Sequence, residues 1–241
     1  MQLERHYSIL GLPEPSDINP SAYPSIGEGF KITRKIGAGG MGDVYEGIQI
    51  KLNRKVAIKI LAERLASDPE FLERFDCEAR AAAVINHPNL VQIFDYGEAN
   101  GIHYSVMEYV DGENLAERVR RTGLIPVPEA LEIISSVAEA LKSAWSKKII
   151  HRDIKPENVM ITMGGHVKLA DLGLTKILTE ESSMTLSGMG LGSPHYMAPE
   201  QAEPAKDVDH RSDIYSLGIT LLSLVTGEKA FKGNSPYAII R

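Results

Sequence analysis

The sequence predicts an α+β chain built as two lobes, a small antiparallel β-sheet lobe followed by a mostly helical one. Three observations carry that prediction. Short runs of β-forming residues, Phe30 to Ile36, Val44 to Ile50 and Lys55 to Ile60, follow one another across a glycine-rich turn and an Asn53-Arg54 turn. Apolar residues then recur at helical spacing from Pro128 to Lys147. Strands gathered early and helices late mark a segregated architecture rather than an alternating one. With 241 residues, 43% of them hydrophobic, the chain is long enough to bury a sizeable core as one large domain or two lobes.

The elements follow in order. Residues 1–29 carry Pro13, Pro15, Pro20 and Pro24 among Ser, Gly and Asn, which predicts an irregular, surface-draped extension. Residues 30–108 form the sheet lobe with one helix, and residues 109–241 the helical lobe. Asp68-Pro69-Glu70 opens the sheet lobe's helix, with Asp68 as cap, Pro69 at the first helical position and an acid near the positive end of the dipole; the helix runs to about Asn86. Val106 to Val110 is an apolar strand. In the helix of Pro128 to Lys147 the periodic residues are Leu131, Ile134, Val137, Ala138, Leu141 and Trp145, which predict its buried face. A last helix spans about Arg211 to Thr226, stopped by Gly227.

Charge and composition exclude several classes. A net charge of −6 argues against a phosphate-backbone ligand, so no nucleic acid partner is expected. Cys77 is the only cysteine, which rules out an intrachain disulfide and a multi-cysteine zinc site, and suits a reducing cytoplasmic location. No membrane-spanning run is present, and Met1 to Leu12 lacks the long apolar core of a secretory signal.

The chemistry concentrates in His151-Arg152-Asp153-Ile154-Lys155-Pro156-Glu157-Asn158, followed by Asp171-Leu172-Gly173. Asp153, Asn158 and Asp171 place three acid or amide side chains, hard oxygen donors, where two metal ions and a hydroxyl nucleophile could be held, which reads as phosphoryl transfer. Such a reaction spreads negative charge over phosphate oxygens, so it needs positioning and charge stabilisation more than covalent chemistry by the protein. Upstream, Gly37-Ala38-Gly39-Gly40-Met41-Gly42 is a GxGxxG. In isolation it equally fits a dinucleotide fold, but there the glycines open a helix, and here strand-forming Val44 to Ile50 follows. A hairpin whose backbone N–H groups approach phosphate fits better.

Strand alternation in Val56-Ala57-Ile58-Lys59 puts Ala57 and Lys59 on one face and Val56, Ile58 and Ile60 on the other. At 100° per residue, Glu78 lies about 20° from Phe71, about 60° from Phe75 and about 40° from Ala82, on the apolar stripe of its helix. A carboxylate there is costly unless a cation meets it, and Lys59 is the expected partner.

These motifs together resemble the eukaryotic-type serine/threonine protein kinase catalytic domain, with its bilobal fold, over Phe30 to Arg241. The resemblance implies that Asp153 takes or orients the substrate hydroxyl proton, that Lys155 sits beside the transferred phosphate, and that Asn158 and Asp171 coordinate Mg2+. It implies that Gly37, Gly39, Gly40 and Gly42 cover the phosphates of ATP, that Lys59 pairs with Glu78, and that Val44 and Ala57 enclose the adenine. Val106-Met107-Glu108-Tyr109-Val110 resembles the family's hinge strand, with Met107 as gatekeeper and Glu108, Tyr109 and Val110 beside the adenine edge. Asp213 resembles the helix-start aspartate that braces the catalytic loop.

Gly192-Ser193-Pro194 and Ala198-Pro199-Glu200 look like the end of an activation segment, and Lys155 with Ser193 follows the Ser/Thr rather than the Tyr pattern. The hydroxyls Thr175, Thr179, Ser182, Ser183, Thr185, Ser187 and Ser193 lie within that segment, and phosphorylation of one between Thr179 and Ser187 would give Arg152 a charge to bind. Leu172 stands where the family usually has Phe, and Ser193 where Thr is commoner. The family's last helices would follow Arg241, so the expectation is a chain that self-associates or is poorly stable by itself. The expected activity is ATP- and Mg-dependent transfer to Ser and Thr hydroxyls of protein substrates, the chain itself among them. A nucleotide-binding pseudokinase scaffold is the alternative; a small-molecule phosphotransferase lacks the Ala-Pro-Glu segment.

Overall fold

The computed structural model describes residues 23–172, 194–202, 208–233, 235 and 238–239, and within them every side chain but those of Arg74 and Glu78. The described residues divide into two units, the first running up to Asp68 and including Phe94–Tyr109, the second comprising Pro69–Ile93 and the residues from Val110 onward.

The first unit is a five-stranded sheet in the order β1-β2-β3-β5-β4. Its strands are β1 (Phe30–Gly39), β2 (Gly42–Gln49), β3 (Arg54–Leu61), β4 (Ile93–Ala99) and β5 (Ile102–Glu108). β1, β2 and β3 form the expected antiparallel meander, and β5 adds antiparallel to β3. The β2–β3 connection passes through a 3-10 turn, Ile50–Leu52, closed by Asn53 in the left-handed region at φ 47°; Asn tolerates that conformation better than most residues. The face bearing Val56 and Ile58, both fully buried, meets Ile32, Tyr45 and Val106, with Ile26 and Tyr23 from ahead of β1 joining the same core. α1 (Glu63–Ala66) follows β3.

The second unit begins with α2 (Pro69–Ala83). Phe71, Phe75, Ala79 and Ala82 are its buried stripe. The helix stops short of Asn86, because His87 precedes Pro88 and a residue before proline is pushed out of the helical region. Next come β6 (Gly112–Asn114), α3 (Leu115–Thr122) and α4 (Val127–Ser146). β7 (Val159–Thr162) and β8 (Val167–Leu169) pair with β6 as a second, three-stranded antiparallel sheet. α5 (His210–Thr226) is capped by Asp209 and ended by Gly227 at φ 69°. The α4 face agrees with the expectation at Val137 and Leu141, with Ile134, Ala138 and Trp145 partly buried against the same core, and departs from it at Leu131. Ala130, Ile133, Val137, Ala140, Leu141 and Ala144 are buried, while Leu131 is 52% exposed. Large apolar residues occur on more than one side of this helix, and the alanines decide which side packs closely. No helix among the described residues is long and apolar enough to cross a membrane.

Candidate active site

In the second unit the backbone of the loop at His151 and Arg152 is held by one buried carboxylate. Asp213, 0% exposed near the start of α5, accepts the backbone N–H of His151 at 2.9 Å and of Arg152 at 2.8 Å, and the indole N–H of Trp145 at 2.9 Å. Three donors on one ion satisfy its desolvation requirement. His151, also 0% exposed, bonds Ala170 O through Nε2 at 2.9 Å, and its Nδ1 faces the N–H of Asp153 at 3.3 Å. A single neutral tautomer meets both contacts, Nε2–H donating and Nδ1 accepting. The histidine thereby ties the loop to the residue that precedes Asp171.

Asp153, Lys155 and Asn158 come together. The Lys155 ammonium lies 2.6 Å from Asp153 Oδ2, both side chains being less than 20% exposed. Asn158 Nδ2 donates to Asp153 O at 2.7 Å and to Asp153 Oδ2 at 3.0 Å. Both side-chain contacts fall on Oδ2 of Asp153. With its NH2 group committed to Asp153, the Asn158 amide turns its carbonyl oxygen the other way. The 3-10 turn Pro156–Asn158 fixes this arrangement, with Asn158 7% exposed. β7 and β8 carry Asn158 and Asp171 to the same end of one hairpin, where Ala170 N donates to Asn158 O at 2.8 Å. Asp171 is half-buried at φ 59°, a conformation uncommon outside glycine. Burial holds the nearby Tyr196 phenol above its ordinary pKa.

In the first unit the glycine run is a two-residue hairpin, with Gly39 opposite Gly42, Gly37 opposite Val44, and Gly40-Met41 at the turn. Its glycines have different causes. At Gly42, φ +145°, a Cβ would lie 1.9 Å from Ile60 O, so the fold itself excludes any other residue. At Gly40 nothing lies within 4 Å, and at Gly37 and Gly39 the contacts are ordinary at 3.6 Å and 3.8 Å. The chain's own packing does not require those three glycines; a ligand approaching the backbone would. The Arg64 guanidinium donates to Gly40 O, and Ala62 N donates to Met41 O at 2.9 Å, which ties the hairpin tip to the start of α1.

Lys59 on β3 stands opposite Val44 and Ser105, and Ala57 opposite Glu46 and Met107, so these side chains share the sheet face away from the Val56/Ile58 core. Met107 and Glu108 end β5, and Tyr109 and Val110 follow directly. Glu46, 5% exposed, receives the Arg34 guanidinium at 2.7 Å and 3.0 Å, and Arg34 Nη2 also donates to the phenolic Oη of Tyr109 at 3.2 Å. The Glu46 hydrogen bond raises the already high pKa of Arg34. Glu78 belongs to α2, but its side chain lies outside the described residues, as do Gly173 and the activation-segment residues Thr175 to Ser193.

Sequence reasoning missed Trp145 as a partner of Asp213, reading it only as an apolar helix residue. Its signal was available, since a buried indole N–H nearly always finds an acceptor. It also missed Ser105, whose buried Oγ has no hydrogen-bond partner.

Residues 30–240 match the protein kinase domain family. The chain belongs to that family, and its α+β fold is a protein kinase fold. It is similar to serine/threonine-protein kinase PknB of Mycobacterium leprae (strain TN), 40% identical over 220 residues that span 90% of this chain and 35% of that protein. It is likewise similar to serine/threonine-protein kinase PrkC of Bacillus subtilis (strain 168), 43% identical over 210 residues, 87% of this chain and 32% of that protein. The crystal structure of the Mycobacterium tuberculosis PknI kinase domain superposes with a TM-score of 0.71 at 31% identity, covering 90% of this chain and 85% of that one. The chain spans about a third to a half of the length of the curated relatives it matches.

Proposed function

We propose that this chain is a protein kinase that uses ATP and Mg2+ to phosphorylate Ser and Thr hydroxyls of cytoplasmic proteins, itself included. The observation that carries the reading is the Asp153 carboxylate, held through Oδ2 by Lys155 and Asn158 with Oδ1 left over. In this reading the substrate oxygen forms its bond to the γ-phosphorus as the bond from that phosphorus to the β–γ bridging oxygen breaks, and the hydroxyl proton passes to Asp153 Oδ1. Lys155, beside that carboxylate, offers its charge to the phosphoryl oxygens.

The residues present fit the groups this chemistry needs. Asn158 Oδ1 and the Asp171 carboxylate are hard oxygen donors at one end of the β7–β8 hairpin, a set of two that suits an ion taking its other ligands from phosphate and water. Magnesium, when bound, supplies charge neutralisation at the phosphate oxygens. Gly37, Gly39 and Gly40, free of internal packing demands, suit close backbone approach to phosphates, and Gly42 holds the hairpin on β3. Lys59 serves the phosphates; Val44 and Ala57 enclose the adenine; Met107, Glu108, Tyr109 and Val110 take its edge. Relatives named as serine/threonine-protein kinases support the acceptor class. A peptide array offering Ser, Thr and Tyr acceptors in matched sequences tests it: label on Ser and Thr peptides is expected, and label confined to Tyr peptides would overturn the specificity.

A further inference from the structure

Gln201, in the 3-10 turn Pro199–Ala202, carries no role in the chemistry above, yet its side-chain amide is used at both ends. Its Oε1 accepts the backbone N–H of Ala198 at 3.0 Å, and its Nε2 donates to the carbonyl oxygen of Arg152 at 2.9 Å. Its own backbone N–H closes the turn on Ala198 O at 3.0 Å. Arg152 is the residue immediately before Asp153 and sits in the left-handed region at φ 67°. That conformation is disfavoured for a residue with a Cβ and persists only where its surroundings over-determine it. Asp213 Oδ1 takes the N–H of Arg152 at 2.8 Å, and Gln201 takes its C=O. The two peptide groups flanking Arg152 are thus each held by a side chain from elsewhere in the sequence. The adjoining Glu200 is held independently, accepting from Ser212 Oγ at 2.7 Å, so the turn has a fixed base from which Gln201 reaches.

We propose that Gln201 is a positioning residue for the transfer step: through Arg152 O it sets the peptide that aims Asp153, and through Ala198 N it makes that aim depend on the placement of the Ala198–Pro199 segment. Only an amide accepts at one end and donates at the other over this reach. A carboxylate keeps the Ala198 contact but turns an oxygen toward the Arg152 carbonyl, and a thioether provides neither contact well. The activity arm rests on the kinase reading; the coupling itself does not.

The test compares the full chain with Gln201→Glu and Gln201→Met by hydrogen exchange of the 149–158 segment and by peptide phosphorylation. Expected are faster exchange at residues 152–154 in both variants with α4 protection unchanged, and a kcat lower by about tenfold, the scale of a misaimed catalytic group. KM for ATP should stay within about twofold, since nucleotide binding is not what Gln201 sets. Should Gln201→Met fail to fold, Gln201→Glu, which keeps the turn contact, decides. Wild-type exchange at residues 152–154 in Gln201→Glu overturns the proposal, whatever the activity. Faster exchange there in a chain whose wild type transfers no phosphate keeps the positioning role and removes the kinase reading instead.

Discussion

The carboxylate of Asp213 holds the backbone of Arg152, accepting its N–H at 2.8 Å while Arg152 sits at φ 67°. The same carboxylate serves His151 N and Trp145 Nε1, so removing it strands one buried and two part-buried donors. Asp213→Ala is expected to cost about 3–5 kcal/mol, the scale for breaking a buried charged network. Asp213→Asn, which keeps an accepting oxygen, should cost less. Chemical denaturation of both variants measures the order.

The two ends of the glycine hairpin separate a fold requirement from a ligand requirement. Gly42→Ala drives a Cβ into Ile60 O and should lose about 3 kcal/mol of stability. Gly40→Ala meets nothing, so its melting temperature should match wild type while its KM for ATP rises. Thermal melts alongside ATP titrations distinguish them. Equal destabilisation by both would remove the distinction.

What could be read from the sequence was what is local. The β1–β2–β3 meander, α4 and α5 have their signals within a few turns of chain, and Asp153, Lys155 and Asn158 are near enough in sequence for one loop to bring them together. The three-stranded sheet was not legible, because β6 and β8 have only three residues each and β6 pairs with β7 some 50 residues on. α3 was missed although Asn114 and Glu117 form a complete capping box, since Glu117-Arg118-Val119-Arg120-Arg121 offers too few apolar residues to show a helical period. β4 holds Asp95 and Gly97, both poor strand formers, and is held by pairing rather than propensity. At the site, the reach of Gln201 to Arg152 is a contact across 49 positions, and no spacing rule encodes it.

Asn158 is expected to act through both ends of its amide. Asn158→Ala removes the proposed oxygen ligand together with the donor to Asp153 Oδ2, so the Mg2+ concentration for half-maximal activity should rise by about tenfold or more. Asn158→Asp restores an oxygen but sets a second carboxylate against Asp153, and should recover Mg2+ affinity without recovering kcat. Mg2+ titrations of the initial rate separate the two effects.

Asp209 caps α5, and its hydrogen bond from the Arg211 guanidinium, aided by Arg211 N–H, holds its carboxyl below the usual carboxylate range. A depressed folded-state pKa means that the stabilisation is present above the unfolded value and lost as pH falls through the folded one. Asp209→Asn keeps a capping oxygen but does not titrate. The melting temperature of wild type should exceed that of Asp209→Asn at neutral pH, and the gap should close as pH drops below about 4. Paired melts across that range check the sign.

The central claim is that the carboxylate oriented by Lys155 and Asn158 receives the proton of a hydroxyl attacking ATP. The most direct test incubates the wild-type chain and Asp153→Asn with γ-labelled ATP, Mg2+ and a Ser/Thr peptide, after showing that both proteins melt alike and bind nucleotide alike. Label transfer by wild type, reduced by about a thousandfold or more in Asp153→Asn, is the predicted result. Undiminished transfer by Asp153→Asn, or none by wild type that binds the nucleotide, would contradict it.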